Sequence, residues 1–157
     1  MARKVFFSFD YDDIWRVNVV RKHYVTKGGY LVSGYIDKAD FEEIKRQGEY
    51  AIRRWIDEQI AGTSVTVVLI GEKTYQSRWV KYEIEKSIER GNGLVGIYIH
   101  NIKDNNGNKA NKGFNPFSNH FSERLKGREP KIYDWVLDSG FNNFPSWAEN
   151  AAKSAGK

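Results

Sequence analysis

Residues 65–70, Val65-Thr66-Val67-Val68-Leu69-Ile70, form an almost uninterrupted β-branched run closed by Gly71. Such a run fits a strand buried on both faces, as in a parallel sheet whose crossovers cover both sides. The flanking segments supply crossovers. Upstream, Ala51-Ile52, Trp55-Ile56 and Ile60 repeat every three to four residues within a helix over about 45–61, ended by Gly62. Downstream, Val80, Ile84 and Ile88 mark a helix over about 78–90; Gly91 and Gly93 close it, and 94–99 form the next strand.

The same alternation continues outward. Residues 4–9 (Lys4-Val5-Phe6-Phe7-Ser8-Phe9) predict a buried first strand, followed by the turn-forming acids Asp10, Asp12 and Asp13. Asp12 or Asp13 can N-cap a helix through about Tyr24, broken at Gly28-Gly29. Residues 30–36 predict a second strand weakened by Gly34, and a polar linker with Asp37, Asp40, Glu42 and Glu43 follows. Beyond the fourth strand, residues 101–119 hold seven asparagines, two glycines and Pro116, which is loop chemistry. A fifth, edge strand at 131–136 and a terminal helix at 146–155 complete the pattern. The expected class is α/β: a flavodoxin-like, doubly wound parallel sheet of about five strands in a three-layer sandwich. A single domain over 1–157 is expected, with an Asn-rich loop insertion at about 101–130.

Composition narrows the function classes. At 157 residues, 40% hydrophobic and 29% charged, the chain has the make-up of one globular domain and not of a disordered segment. A net charge of +5 and a pI near 9.3 fall short of the clustered basic footprint of a nucleic-acid binder, so that partner is not expected. The absence of cysteine excludes disulfides, zinc-finger spacings and a thiol nucleophile. His23, His100 and His120 have no metal-ligand spacing, and no metal is expected; His100, at the end of the fourth strand, could approach a site there. No GxxxxGK[ST] run occurs. A phospho-acceptor receiver site would need an Asp closing the third strand, where Gly71-Glu72 stands. No apolar run spans a bilayer, and Met1-Ala2-Arg3-Lys4 leads directly into a strand, so a cytoplasmic protein is expected. Tyr50, Trp55, Trp135 and Trp147 are expected to pack and not to form a stacking platform. The plain reading of the basic stretch 101–131 is a solvated loop; its sharper reading is partner docking or self-assembly into a homo-oligomer.

In open parallel sheets, ligands sit beyond the carboxyl ends of the strands. Three segments reach that edge: Phe9-Asp10-Tyr11-Asp12-Asp13, the linker after Ile36, and Gly71 through Trp79. On the third helix Trp79, Glu83 and Ser87 share one line at four-residue spacing beside the apolar stripe. Glu83 is therefore expected near the buried boundary, beside an indole, where it could hold a ribose and stabilise a positive ribosyl centre. The plain alternative is a solvated glutamate paired with a lysine such as Lys86.

Val5-Phe6-Phe7-Ser8-Phe9 resembles the first-strand VFISY pattern of TIR (Toll/interleukin-1 receptor) domains, and Trp79-Val80-Lys81-Tyr82-Glu83 resembles the W-x-x-x-E motif of NAD-cleaving TIR domains. Residues 67–79 are similar to the bacterial TIR-like family of Thoeris anti-phage defence systems, a resemblance spanning about residues 1–100. It implies Glu83 as the catalytic residue, Trp79 shaping its pocket, and Phe9, Asp10 and Tyr11 as the substrate-binding first loop. Some NAD-cleaving relatives carry basic residues where Asp10 and Tyr11 stand. Either the dinucleotide lies differently here, or its phosphates use backbone N–H groups and Arg78 or Lys81. The implied activity is an NAD+ glycohydrolase or ADP-ribosyl cyclase, with NAD+ as substrate and no bound cofactor. Its cyclic ADP-ribose isomer would signal to a separate effector after a phage-derived trigger. The alternative is a non-enzymatic TIR-like or receiver-like interaction module in which Glu83 is structural.

Overall fold

The computed structural model describes residues 3–28, 31–36 and 38–157; expectations placed on Met1, Ala2, Gly29, Tyr30 and Asp37 lie outside them. Five parallel strands, β1 (Lys4–Ser8), β2 (Leu31–Ser33), β3 (Val65–Ile70), β4 (Gly93–Tyr98) and β5 (Lys131–Asp134), form one sheet in the order β2-β1-β3-β4-β5. This is the flavodoxin-like order, and the chain reverses its direction of travel across the sheet between β1 and β3. Helices α1 (Ile14–Gly28), α2 (Lys38–Arg46), α3 (Glu49–Ile60), α4 (Arg78–Arg90) and α5 (Gly140–Ser154) fill the connections.

Strand alternation divides the core into two layers. Val5 and Phe7 of β1 and Val65, Val67 and Leu69 of β3 pack with α1 and α5. Phe6 faces the other way, onto Ile52, Ile56 and Ile60 of α3. Val68 and Ile70 meet Val80 and Ile84 of α4. All six residues of β3 are buried, as the β-branched run predicts for a central strand covered on both faces.

Four expectations change. The polar linker after β2 is mostly the helix α2, held by one buried anchor, Phe41, against Ile52 and Ile56. Gly48, at φ 101°, separates α2 from α3, so the expected helix over 45–61 is two helices. The terminal helix begins at Gly140, ahead of Pro145, not at 146. Finally, the stretch between β4 and β5 is irregular, with a short 3-10 turn at Asn119–Phe121, yet it is not solvated throughout. Phe117, Phe121 and Leu125 are buried against Val68, Ile70, Val80 and Ile84, so this stretch occupies the layer position beside α4.

Candidate active site

α4 starts where Ser77 accepts a hydrogen bond from the Val80 N–H at 3.3 Å, and it ends at left-handed Gly91, φ 73°. With Val80 and Ile84 fixed on β3, the intervening Glu83 turns toward β1. There it is 6% exposed, far deeper than the half-buried boundary expected from spacing. Ser8 Oγ, at the end of β1, donates to Glu83 Oε1 at 2.7 Å. Burial pushes the Glu83 carboxyl up to about 8, and the Ser8 hydrogen bond pulls it partly back. Lys86 pairs with Glu89 at 3.4 Å, which removes the reading of Glu83 as one half of a solvated ion pair.

Glu83 lines a cavity of about 230 Å³ at the carboxyl edge of β1. Phe9, Asp10, Tyr11 and Trp79 line the same cavity, so all five candidate residues meet in one place. The first loop is tied by two hydrogen bonds. Asp10 Oδ1 accepts the Asp12 N–H at 2.9 Å, and Tyr11 Oη donates to the Ile36 carbonyl at 3.1 Å. The Tyr11 ring stacks on Phe41 of α2 at 4.4 Å, and Phe41 meets Trp55 of α3 edge-on at 6.0 Å. Trp79 packs edge-on against Tyr82 at 5.8 Å, and the Tyr82 hydroxyl donates to Asp57 at 3.0 Å. The cavity thus has aromatic walls on two sides and a carboxyl at its base.

Its charged rim differs from expectation. Arg78 is exposed, paired with Glu49 of α3 and set over the Trp79 ring at 5.0 Å; neither Arg78 nor Lys81 lines the cavity. Lys38 and Lys45 of α2 do, the latter paired with Glu42 at 3.3 Å. Asp12 joins Asp10 in the lining from the first loop. Asp13, expected as a helix cap, is instead buried beside Gly71, where any β-carbon would collide with its carboxylate. Burial and then Asp10 raise its pKa to about 6, with Arg16 opposing. His100 is buried, its Nδ1 without a hydrogen-bond partner, and it lies outside the cavity. Trp135 and Trp147 are buried as expected, Trp55 lines the cavity, and Tyr50 is 75% exposed and packs into no core. Among the described residues no acidic or histidine cluster could hold a metal, and no helix is long and apolar enough to cross a membrane.

Sequence reasoning missed Ser8, Lys38 and Lys45. A hydroxyl at the end of a strand otherwise buried through Val5, Phe6 and Phe7 was the available signal for Ser8. The lysines were hidden because their helix carries a single buried apolar residue.

The TIR domain of the Toll-related receptor TRR-2 from Hydra magnipapillata superposes with a TM-score of 0.55 at 10% identity, over 98% of both chains. The architecture is therefore that of a TIR domain. Residues 6–104 match the family model described as Thoeris protein ThsB, TIR-like domain, and the chain belongs to that family. It is also 38% identical to a protein of Bacillus cereus (strain MSX-D12), provisionally named cyclic ADP-D-ribose synthase ThsB1, with 94% of this chain and 99% of that one covered.

Proposed function

We propose that this chain cleaves the nicotinamide–ribose bond of NAD+ and closes the ADP-ribosyl unit on itself. The cyclic product would carry a signal to a separate effector in anti-phage defence. The observation that carries this reading is Glu83: a buried carboxyl, held by Ser8, at the base of an aromatic cavity. The name of the Bacillus cereus relative, a cyclic ADP-D-ribose synthase, agrees with it. The whole chain is taken as one TIR-like unit.

A cavity of about 230 Å³ is smaller than the roughly 300–1,000 Å³ of pockets that enclose a drug-sized ligand. It would therefore seat the nicotinamide ribose and leave the adenosine outside. There the pyridinium charge of the substrate favours the ionised form of Glu83, lowering its pKa from the value set by burial. As the C1′–N1 bond breaks, its electron pair leaves with nicotinamide, which becomes neutral and needs no protonation. Positive charge develops on the ribosyl centre, where the Glu83 carboxylate stabilises it in a water-poor, low-dielectric setting. Phe9, Tyr11 and Trp79 restrict the ribose to one orientation. A nitrogen or hydroxyl of the same molecule attacks C1′ and loses its proton, giving the cycle; attack by water would give linear ADP-ribose. Lys38 and Lys45, which line the cavity from α2, offer the pyrophosphate its cations.

The test is incubation of purified protein and Glu83→Gln with NAD+, with and without lysate of phage-infected cells. Nicotinamide release and product mass are the readouts. Triggered release by the parent chain, reduced about 100-fold or more in the variant, is expected. Undiminished release by Glu83→Gln would make Glu83 structural and place the chemistry on other residues, and no triggered release by the parent chain would leave an interaction module.

A further inference from the structure

Ser8 is fully buried at the end of β1, and its Oγ is the donor that reaches the Glu83 carboxyl, at 2.7 Å. The turn of α4 that bears Glu83 is pinned independently. Ser87 Oγ donates to the Glu83 backbone carbonyl at 2.7 Å and lies 2.6 Å from Thr66 Oγ1 on β3. The backbone of Glu83 thus hangs from β3, and one side-chain oxygen from β1.

We propose that Ser8 is a positioning residue for Glu83: its hydroxyl anchors one carboxylate oxygen, favours the ionised form, and leaves the other oxygen to meet the ribose. Its consequence for turnover rests on the NAD+ reading above; its effect on Glu83 does not. Other charges face the same cavity: Asp10 and Asp12 from the first loop, and Lys38, Glu42 and Lys45 from α2. The lining residues of α3, Trp55 and Ile56, are uncharged, as are those of β1. Burial and the Ser8 hydroxyl are the influences that set the ionisation of Glu83.

The experiment is an infrared pH titration of the buried carboxyl in the parent chain, Ser8→Ala and Ser8→Cys, with Glu83→Gln identifying the band. Cysteine keeps the volume and donates weakly, so it separates the lost hydrogen bond from a lost atom. In both variants the midpoint should rise by about one pH unit, a tenfold loss of the ionised fraction near neutrality. The kcat/KM for triggered NAD+ cleavage, which reports the ionisation of the free enzyme, should fall about tenfold near neutral pH and recover as the solution is made alkaline past the new midpoint. A structural role alone would lower the melting temperature and leave the midpoint in place, which overturns the proposal. If the midpoint moves and the parent chain never releases nicotinamide, the NAD+ reading falls and the anchoring of Glu83 stands. If the parent chain releases nicotinamide and neither variant moves the midpoint, only the anchoring falls.

Discussion

A glutamate 6% exposed, which among the described residues has the Ser8 hydroxyl as its donor and no ion-pair partner, works against the stability of the fold that holds it. Its pKa is about 8 in the folded chain, against an ordinary value of 4.5. The folded state therefore binds this proton more tightly than the unfolded chain. The contribution of Glu83 is fully present below the unfolded pKa and is lost progressively as pH rises from about 4.5 to about 8. The loss is about 1.4 kcal/mol per pH unit within that window, a few kcal/mol in all. Glu83→Gln removes the titration and keeps an oxygen for Ser8. Its melting temperature should exceed that of the parent chain, by a margin that widens between the two ends of the window. Asp13, raised to about 6, imposes the same sign of pH dependence on both proteins and cancels in the comparison. Parallel melting curves would mean that Glu83 is ionised in the folded chain despite its burial. This residue was legible beforehand because Trp79 and Glu83 share a helical line beside an apolar stripe. Its depth was not, since periodicity places a side chain on a face and says nothing of how far the neighbouring strand overhangs it.

At the scale of elements, α2 decides the electrostatics of the cavity. Only Phe41 of its nine residues is buried, and a segment so charged looks like a linker until Tyr11 is seen stacked on Phe41. The strands and most crossovers were legible because each buries an apolar stripe with its own period. A short helix whose single anchor meets a side chain thirty positions away along the chain leaves no such trace. Its lysines supply the cations that the acidic first loop lacks. Lys38→Gln with Lys45→Gln should raise the KM for NAD+ about fivefold at low ionic strength, a modest effect because both ammonium groups are solvated and Glu42 offsets one. Added salt should shrink the difference. Nicotinamide riboside, which has no phosphate, is the control: its KM should stay put, and an equal rise for both substrates would show that the lysines shape the cavity without meeting the pyrophosphate.

Across the whole molecule, the stretch between β4 and β5 does the work of a helix without being one. Seven asparagines announced a loop, and only the spacing of Phe117, Phe121 and Leu125 hinted that one side of it is apolar. Those three side chains close the layer beside α4, and Arg124 of the same stretch pairs with Glu85 on that helix. α4 is thus clamped between β3 and an irregular segment, and it carries Glu83 toward β1. Phe121 has no exposed surface, so Phe121→Ala should cost about 3–5 kcal/mol, the range for emptying a buried phenylalanine site. Urea unfolding would read that loss as a lower midpoint with an unchanged slope. The chemistry should respond differently from the fold. At low temperature, where most molecules remain folded, triggered nicotinamide release per folded molecule should match the parent chain, because Phe121 does not line the cavity. On warming, release should fall with the folded fraction. Glu83→Gln is the mirror case, with a fold at least as stable and turnover reduced about 100-fold or more. If Phe121→Ala instead abolishes release while the chain is still folded, then the stretch between β4 and β5 holds α4 in register for catalysis, and the clamp belongs to the active site.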